Sequence, residues 1–309
     1  MIANLINQYL ERLRILNRTE ETINLQKIIL EDFLTYLKKE MIFDISRVCQ
    51  KHIENYQCIR KAYRNRYSRE DSIKAQNYYL MTVKQFFKFL IHEGILVNDS
   101  SKTVEYQKQP HILPKPALTL KEVKKILNSV DISTLKGYRD RTIFEIFYSS
   151  GLRRKELQYI KLNDIDYVEG FIRVTGKGNK ERVVPLGKSA CHYVETYIKG
   201  IRPELLGKNQ SDYLFVGRFG GKISRGVFDE MPKLYAKSNG IEKHVTTHTF
   251  RRSCATGMIR NNANVMAVKE LLGHESMDAI NRYVNLTAHD LKKVHDKTHP
   301  REKLTKTFT

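Results

Sequence analysis

The chain of 309 residues is long enough for two domains, and its 41% of hydrophobic residues is enough for ordinary globular cores. Its 54 Lys and Arg against 34 Asp and Glu give a formal net charge of +20, which favours a polyanionic partner over a charge that serves only solubility. The N-terminus lacks the pattern of a signal peptide, and no apolar stretch approaches the roughly 18 residues that a membrane span needs, so we expect a cytoplasmic protein without membrane contact.

Residues 1–97 have the pattern of successive helices and are predicted to form an N-terminal helical domain. Apolar residues recur at helical spacing in two stretches, and Thr19 is positioned as the N-cap of the first. The second stretch is expected to end near Gly94. Stripes of this kind indicate a buried core more than stacking platforms for nucleic acid. They comprise Leu25, Ile29, Phe33, Tyr36 and Leu37, then Tyr79, Val83, Phe86, Phe87 and Leu90.

A basic run with interleaved tyrosines separates these two stretches. A solvated helix face is one interpretation of such a run. In a chain this basic, however, we predict that the run contacts backbone phosphates. The predicted contacts are Arg60, Lys61, Arg64, Arg66, Arg69 and Lys74.

Residues 98–116 differ in composition and are predicted to link two domains. Pro110, Pro114 and Pro116 cannot lie in a regular helix and favour an extended chain. A helical pattern resumes at Thr119, which forms a capping-box sequence with Glu122. We therefore expect a second domain over residues 117–297 and a polar, frayed tail over residues 298–309.

Two stretches of the second domain alternate in the manner of strands. Phe171–Thr175 and residues 181–186 flank the sequence G-K-G-N, which predicts an antiparallel hairpin with a tight turn. The predicted fold class is therefore mainly α with a small antiparallel β-sheet.

Motifs of the second domain supply a set of cations and imidazoles together with a single tyrosine. Such a set suits attack on a phosphodiester, because positive donors hold the phosphate oxygens while a phenolic oxygen acts as the nucleophile. No carboxylate, His or Cys cluster has the spacing of a metal site, so neither a metal nor a cofactor is expected. The set comprises Arg153 in G-L-R-R-K-E-L, Lys177 in G-K-G-N, His248 and Arg251 in H-T-F-R, His274 in L-G-H, and Tyr283 nine residues later.

In their order and spacing, these motifs resemble the tyrosine recombinase (phage integrase) family, and most of all its short Xer-type members. The resemblance extends over about residues 6–302 and is most specific over residues 151–186 and 246–283. It implies a two-domain, C-shaped DNA clamp with an N-terminal, SAM-like core-binding domain and a C-terminal catalytic domain. It also implies a site-specific recombinase that acts through a 3′-phosphotyrosyl intermediate and a Holliday junction. The expected assembly is a homotetramer, or a heterotetramer with a related recombinase, on two double-stranded DNA sites.

The resemblance assigns roles to the phosphate-binding and nucleophilic residues. Tyr283 is the expected nucleophile, and Arg153 and Arg251 are the expected phosphate clamps, since a guanidinium can bind two phosphate oxygens at once. Glu156, three residues after Arg153, is expected to orient that arginine, with an exposed helix glutamate as the alternative. Arg154 is the neighbour of Arg153 that the family frame G-L-R does not select.

The remaining roles concern protons. His248 is suited to bind the phosphate and to take or orient the tyrosine proton. His274 follows Gly273, which is expected to end a helix and turn the imidazole into the site. Lys177 is the expected general acid for the leaving 5′-oxygen, with Lys180 as its rival.

Arg252 departs from the common family pattern, in which a histidine follows the catalytic arginine. A phosphate contact and a packing role both remain open for it. Three alternatives to an Xer-like role also remain open: an integrase or transposase of a mobile element with the same chemistry, a type IB topoisomerase, and a basic DNA-binding protein without activity.

Overall fold

The computed structural model describes residues 2–64, 68–110, 115–176, 181–217 and 219–273. The chain divides into two compact units, Met1–Ile112 and Leu113–Thr309. Helices predominate, and one small antiparallel sheet accompanies them, so the predicted fold class is confirmed. None of the helices in the described ranges is long and apolar enough to cross a membrane.

The first unit is built from helices that begin and end at the predicted signals. The Thr22 N–H donates to the side chain of Thr19 (3.3 Å), which confirms the predicted N-cap. The last helix of the unit ends just before Gly94, whose φ of +70° suits glycine. The helices are α1 (Ile2–Ile15), α2 (Glu20–Lys39), α3 (Gln50–Ala62) and α4 (Ile73–His92).

An aromatic core holds this unit together. Phe33 of α2 packs edge to face against Tyr56 of α3, with ring centroids 4.9 Å apart, and Phe86 and Phe87 of α4 are fully buried. The predicted stripes are therefore core, with one correction. Leu25 is 46% exposed, because it lies at the margin of the buried face of α2.

The first part of the predicted linker packs on this unit. Val104 is buried in the core of α1–α4. The Asn77 amide donates to the Gln107 carbonyl (2.8 Å) and accepts from the Gln107 N–H (2.9 Å). Side chains thus hold a segment that has no helical or strand bonds of its own. The composition and prolines of residues 98–116 predict such an extended segment.

The second unit combines short helices with a three-stranded antiparallel sheet. Phe144 of its central helix stacks on Phe250 with ring centroids 4.8 Å apart, which fixes the helix that carries His248 and Arg251. The helices are α5 (Leu120–Asn128), α6 (Leu135–Ser150), α7 (Arg154–Tyr159), α8 (Lys188–Thr196), α9 (Arg202–Leu206), α10 (Arg225–Ser238), α11 (Thr247–Arg260) and α12 (Val265–Leu272), and the strands are β1 (Ile165–Asp166), β2 (Phe171–Thr175) and β3 (Glu181–Pro185).

The predicted hairpin is confirmed by the pairing of β2 with β3. Ile172 lies opposite Val184, and Val174 lies opposite Arg182. Because side chains alternate along a strand, Arg182 shares its face with the fully buried Val184. The strand ends at Pro185, one residue earlier than predicted, and the G-K-G-N turn lies largely outside the described residues.

The predicted capping box at the start of α5 is also confirmed. The Thr119 N–H donates to the Glu122 carboxylate (2.7 Å), and the Glu122 N–H donates to the Thr119 hydroxyl (3.2 Å).

Candidate active site

A glycine turn positions Arg153. Helix α6 ends at Gly151, which has a φ of +60° and caps the helix. A Cβ at Gly151 would lie 2.7 Å from the Leu272 side chain, so the turn needs glycine for space as well as for conformation. The chain then places Arg153 at the N-cap of α7.

Glu156 binds both the backbone and the side chain of Arg153. The Arg153 N–H donates to Glu156 Oε2 (2.7 Å), and Arg153 Nη1 donates to Glu156 Oε1 (2.8 Å). Glu156 is buried, so the alternative of an exposed helix glutamate is wrong. The contacts fit the role of orienting Arg153 that the sequence predicts.

Arg182 of β3 is a member of this cluster that the sequence analysis missed. Its Nη1 and Nη2 donate to Glu156 Oε1 (2.8 Å) and Oε2 (3.0 Å). The only available signal was its place in the motif G-K-G-N-K-E-R-V-V-P-L. Burial disfavours the charged form of Glu156, but the hydrogen bonds from Arg182 and Arg153 outweigh it and lower the pKa of this carboxyl below its usual value.

Helix α11 presents His248 and Arg251 one turn apart, on the same face. Thr246 caps the helix by accepting a hydrogen bond from the Thr249 N–H (3.3 Å). His248 is exposed, whereas Arg251 is only 1% exposed.

Three arginines donate hydrogen bonds to successive carbonyls at the end of α12. Arg182 Nε donates to Leu271 O (3.2 Å), Arg251 Nη2 to Leu272 O (2.5 Å) and Arg153 Nη2 to Gly273 O (2.7 Å). The last carbonyls of a helix lack partners within the helix and form the negative end of its dipole, so guanidinium groups stabilise them. Gly273 caps α12 with a φ of +61°, as predicted, and His274 follows directly.

The pKa of His248 is lowered below the ordinary histidine value. Although the side chain is exposed at the surface, desolvation of the imidazole by neighbouring protein atoms is the main cause, and the charges of Arg251, Arg252, Arg153 and Arg154 add to it. His248 is therefore neutral at neutral pH, which leaves a ring nitrogen able to accept a proton.

The neighbours of the two predicted clamp arginines are engaged elsewhere. Arg154 lies 3.7 Å from the Asp229 carboxylate. Arg252 Nη1 donates to the carbonyls of Lys115 (2.8 Å) and Pro116 (3.3 Å), so it holds the segment that leads into α5. Of the two roles left open for Arg252, packing is the one that the structure supports.

In the described ranges, Arg153 and Arg251 meet at the end of α12, Glu156 binds Arg153, and His248 lies one turn before Arg251 on α11. Lys177, its rival Lys180, His274 and Tyr283 lie outside these ranges, and their roles stay predictions.

The structure corrects the prediction for Arg60 in the first unit. Its side chain is buried, and its Nη2 donates to Asp71 (2.5 Å) while its Nη1 lies 3.5 Å from Asp32. The guanidinium also packs over the rings of Tyr79 and Tyr63, with centroid distances of 3.9 and 4.2 Å. Arg60 thus ties α2, α3 and the segment before α4 together and is not offered to a phosphate.

The other predicted phosphate contacts are placed differently. Arg64 is exposed and pairs with Glu70 at 2.6 Å. Lys61, Arg69 and Lys74 are also exposed, and Arg66 lies outside the described residues. Phosphate binding by these five residues stays a prediction.

Comparison with known proteins places these features in a family. The sequence profile of the Phage integrase family matches residues 116–289. Tyrosine recombinase XerD of Staphylococcus saprophyticus is 33% identical over 298 residues, which cover 96% of this chain and 99% of the relative. Tyrosine recombinase XerD of Listeria innocua is 40% identical over 224 residues, 72% of this chain and 75% of the relative.

Two solved structures share the fold. XerH site-specific recombinase bound to a palindromic difH substrate, a post-cleavage complex, matches with a TM-score of 0.73 at 21% identity, over 94% of this chain and 83% of that chain. A lambda integrase dimer bound to a COC′ core site matches with a TM-score of 0.69 at 18% identity, over 91% and 94% of the two chains.

Proposed function

The chain belongs to the phage integrase family, and from this premise we propose that it is an Xer-like site-specific recombinase that cleaves and rejoins DNA. The observation that supports assigning this activity to the chain's own residues is that Arg153 and Arg251 both donate to the end of α12, while His248 lies on the same face of α11 as Arg251. Relatives at 31–40% identity bear the XerD name, so the mobile-element alternative is not favoured.

Arg153 has the donors to bind a scissile phosphate. A guanidinium carries five N–H groups, and the bonds to Glu156 Oε1 and Gly273 O use two of them. Its side chain is 34% exposed, which leaves it accessible to DNA. Arg251 is held nearby by the carbonyls of Gly151 and Leu272, and its phosphate contact requires the guanidinium to become accessible when DNA binds.

In the proposed cleavage step, the Tyr283 oxygen bonds to the phosphorus while the bond from phosphorus to the 5′-oxygen breaks. His248 takes or orients the tyrosine proton, His274 turns into the site, and Lys177 gives a proton to the leaving 5′-oxygen. The product is a 3′-phosphotyrosyl link with a free 5′-hydroxyl. Attack by a 5′-hydroxyl reverses the step without ATP, and exchange of strands between two sites passes through a Holliday junction.

The proposed partner is double-stranded DNA with a specific recombination site. A net charge of +15 over residues 113–309, from 36 Lys and Arg against 21 Asp and Glu, supports binding to a polyanion by this unit. Assembly as a homotetramer, or as a heterotetramer with a related recombinase, follows from the resemblance and remains part of the proposal, as does a cytoplasmic location.

Trapping on nicked DNA tests this function. The substrate is a nicked duplex whose site is selected for binding from a random-sequence pool, and the readout is an adduct that survives SDS. We expect wild-type protein and the control Tyr159→Phe, which changes an exposed tyrosine, to form the adduct. Tyr283→Phe is expected to bind the duplex but form none. An adduct with Tyr283→Phe would mean that another residue is the nucleophile.

A further inference from the structure

Arg182 joins three elements of the second unit. From β3 it reaches the Glu156 carboxylate on α7 and the Leu271 carbonyl at the end of α12. Its side chain is 16% exposed. A Cβ at Gly273 would lie 3.0 Å from the guanidinium carbon, so the guanidinium packs directly against the turn that precedes His274.

Glu156 is shared between two guanidinium groups in a defined way. Its Oε1 accepts from Arg153 Nη1 and Arg182 Nη1, and its Oε2 accepts from the Arg153 backbone N–H and Arg182 Nη2. These four donors occupy both oxygens of the carboxylate. Arg153 therefore meets Glu156 through a single side-chain nitrogen and is free to direct another to Gly273 O.

Loss of Arg182 would change how Arg153 binds Glu156. The buried carboxylate would keep only Arg153 among its present charged partners, and a bidentate pair is the geometry that an arginine and a carboxylate favour. A guanidinium drawn fully onto Glu156 has fewer donors for a phosphate and for Gly273 O. The Leu271 carbonyl would lose its arginine at the same time.

We propose that Arg182 is a positioning residue of the active site. By holding the Glu156 carboxylate and the end of α12, it sets the orientation of Arg153 and the start of the segment that carries His274. Arg182 binds neither DNA nor the reacting atoms in this scheme. The inference rests on the proposed function, since it concerns the geometry of the same cleavage step.

The test separates DNA binding from cleavage in Arg182→Gln. We expect its DNA dissociation constant to stay within about twofold of wild type, and its single-turnover cleavage to fall by about 10- to 100-fold, as for other residues that orient a reacting group. Arg182→Lys keeps the charge but not the bidentate geometry, so its cleavage rate is expected to lie between those of wild type and Arg182→Gln. Arg173→Gln is the matched control, because Arg173 is an exposed arginine on the adjacent strand.

A double-mutant cycle with Glu156→Gln shows whether the two residues act together. If Arg182 acts largely through Glu156, Arg182→Gln lowers cleavage by a clearly smaller factor in the Glu156→Gln background than in wild type, and the remainder reflects its contact with Leu271 O. Thermal unfolding of each variant identifies any that fail to fold. If Arg182→Gln does not fold, the cleavage rate and DNA affinity of Arg182→Lys decide whether Arg182 is a positioning residue. Equal losses in DNA affinity and in cleavage rate would indicate that Arg182 contacts DNA and would overturn the inference. Cleavage by Arg182→Gln at the wild-type rate would also overturn it, and so would full additivity of the two substitutions in the cycle.

This outcome is distinct from failure of the proposed function. If wild-type protein forms the adduct and Arg182→Gln cleaves normally, only the positioning role is wrong. If wild-type protein forms no adduct on any selected site, the recombinase assignment fails and the positioning role fails with it.

Discussion

Arg153 and Arg251 donate to neighbouring carbonyls at one helix end, Arg153 to Gly273 O and Arg251 to Leu272 O. They come from the start of α7 and the first turns of α11, which are distant in sequence. The negative end of α12 thus draws both predicted phosphate clamps to one place. In the sequence, His274 follows Gly273 directly, and the predicted nucleophile Tyr283 comes nine residues later.

The two clamp arginines are expected to differ in their effect on stability. Arg153→Gln and Arg251→Gln should each slow single-turnover cleavage by about 100- to 1,000-fold, the usual effect of removing one donor to a developing charge. Both changes remove hydrogen bonds, but Arg251→Gln should lower the free energy of unfolding by more, by about 1–3 kcal/mol, because Arg251 is 1% exposed and its loss leaves buried carbonyls without their donor, whereas the Arg153 side chain is 34% exposed. Urea unfolding measures this difference. Equal stability of the two variants would contradict the structural placement of Arg251.

The pH dependence of cleavage should report His248. If neutral His248 takes the tyrosine proton, the rate falls as pH drops through its pKa, which lies below the ordinary histidine value. Arg252→Gln removes a positive charge that disfavours protonation, so the pKa of His248 should rise and the acid limb should move to higher pH.

The cleavage rate at subsaturating enzyme, measured as a function of pH, checks the origin of the acid limb, with His248→Gln as the control. The acid limb should vanish in His248→Gln. A limb that persists there, or that does not move in Arg252→Gln, assigns the titration to another group.

The basic run of the first unit should separate into a structural and a DNA-binding part. Loss of one partner from a fully buried ion pair costs about 3–5 kcal/mol. Arg60→Met should destabilise the protein by less than this, since the Asp32 side chain is 40% exposed. Lys61→Met, an exposed neighbour, should keep the stability and reduce the slope of log K against log salt by about 0.9. Thermal unfolding and DNA titrations at several salt concentrations distinguish the two variants. If Arg60→Met reduced the salt slope without loss of stability, Arg60 would be a phosphate contact after all.

A substrate with a modified leaving group can identify the general acid. Lys177→Ala should slow cleavage strongly on a normal substrate while DNA affinity stays close to wild type. A substrate with a 5′-bridging sulfur should restore its rate, because a thiolate leaves without needing a proton. Lys180→Ala is the matched control and should show neither effect. Rescue of Lys180→Ala alone would move the role to that lysine.

Local sequence rules predicted the features that depend on neighbouring residues. The cap at Thr19, the capping box of Thr119 and Glu122, and the hairpin of β2 and β3 each rest on a few adjacent positions. The turn at Gly273 was predicted for the same reason.

The misses depend on partners that are distant in the chain. Arg60 is buried between Asp71, 11 residues away, and Asp32, 28 residues away. Arg182 belongs to the site because it meets Glu156, 26 residues away. None of these pairings has a signature in local spacing. A run of arginines looks the same in sequence whether its members face solvent or a carboxylate of another helix.

In the proposed reaction, Tyr283 forms a covalent bond to DNA without help from a metal or ATP. Wild-type protein is incubated with the nicked duplex in excess EDTA and without nucleotide, the adduct is digested, and the DNA-linked peptide is sequenced by mass spectrometry. The expected result is a phosphotyrosyl bond at Tyr283, joined through the phosphate to the 3′ end of the cleaved strand. An adduct on any other residue, or cleavage that appears only when magnesium is restored, would contradict it.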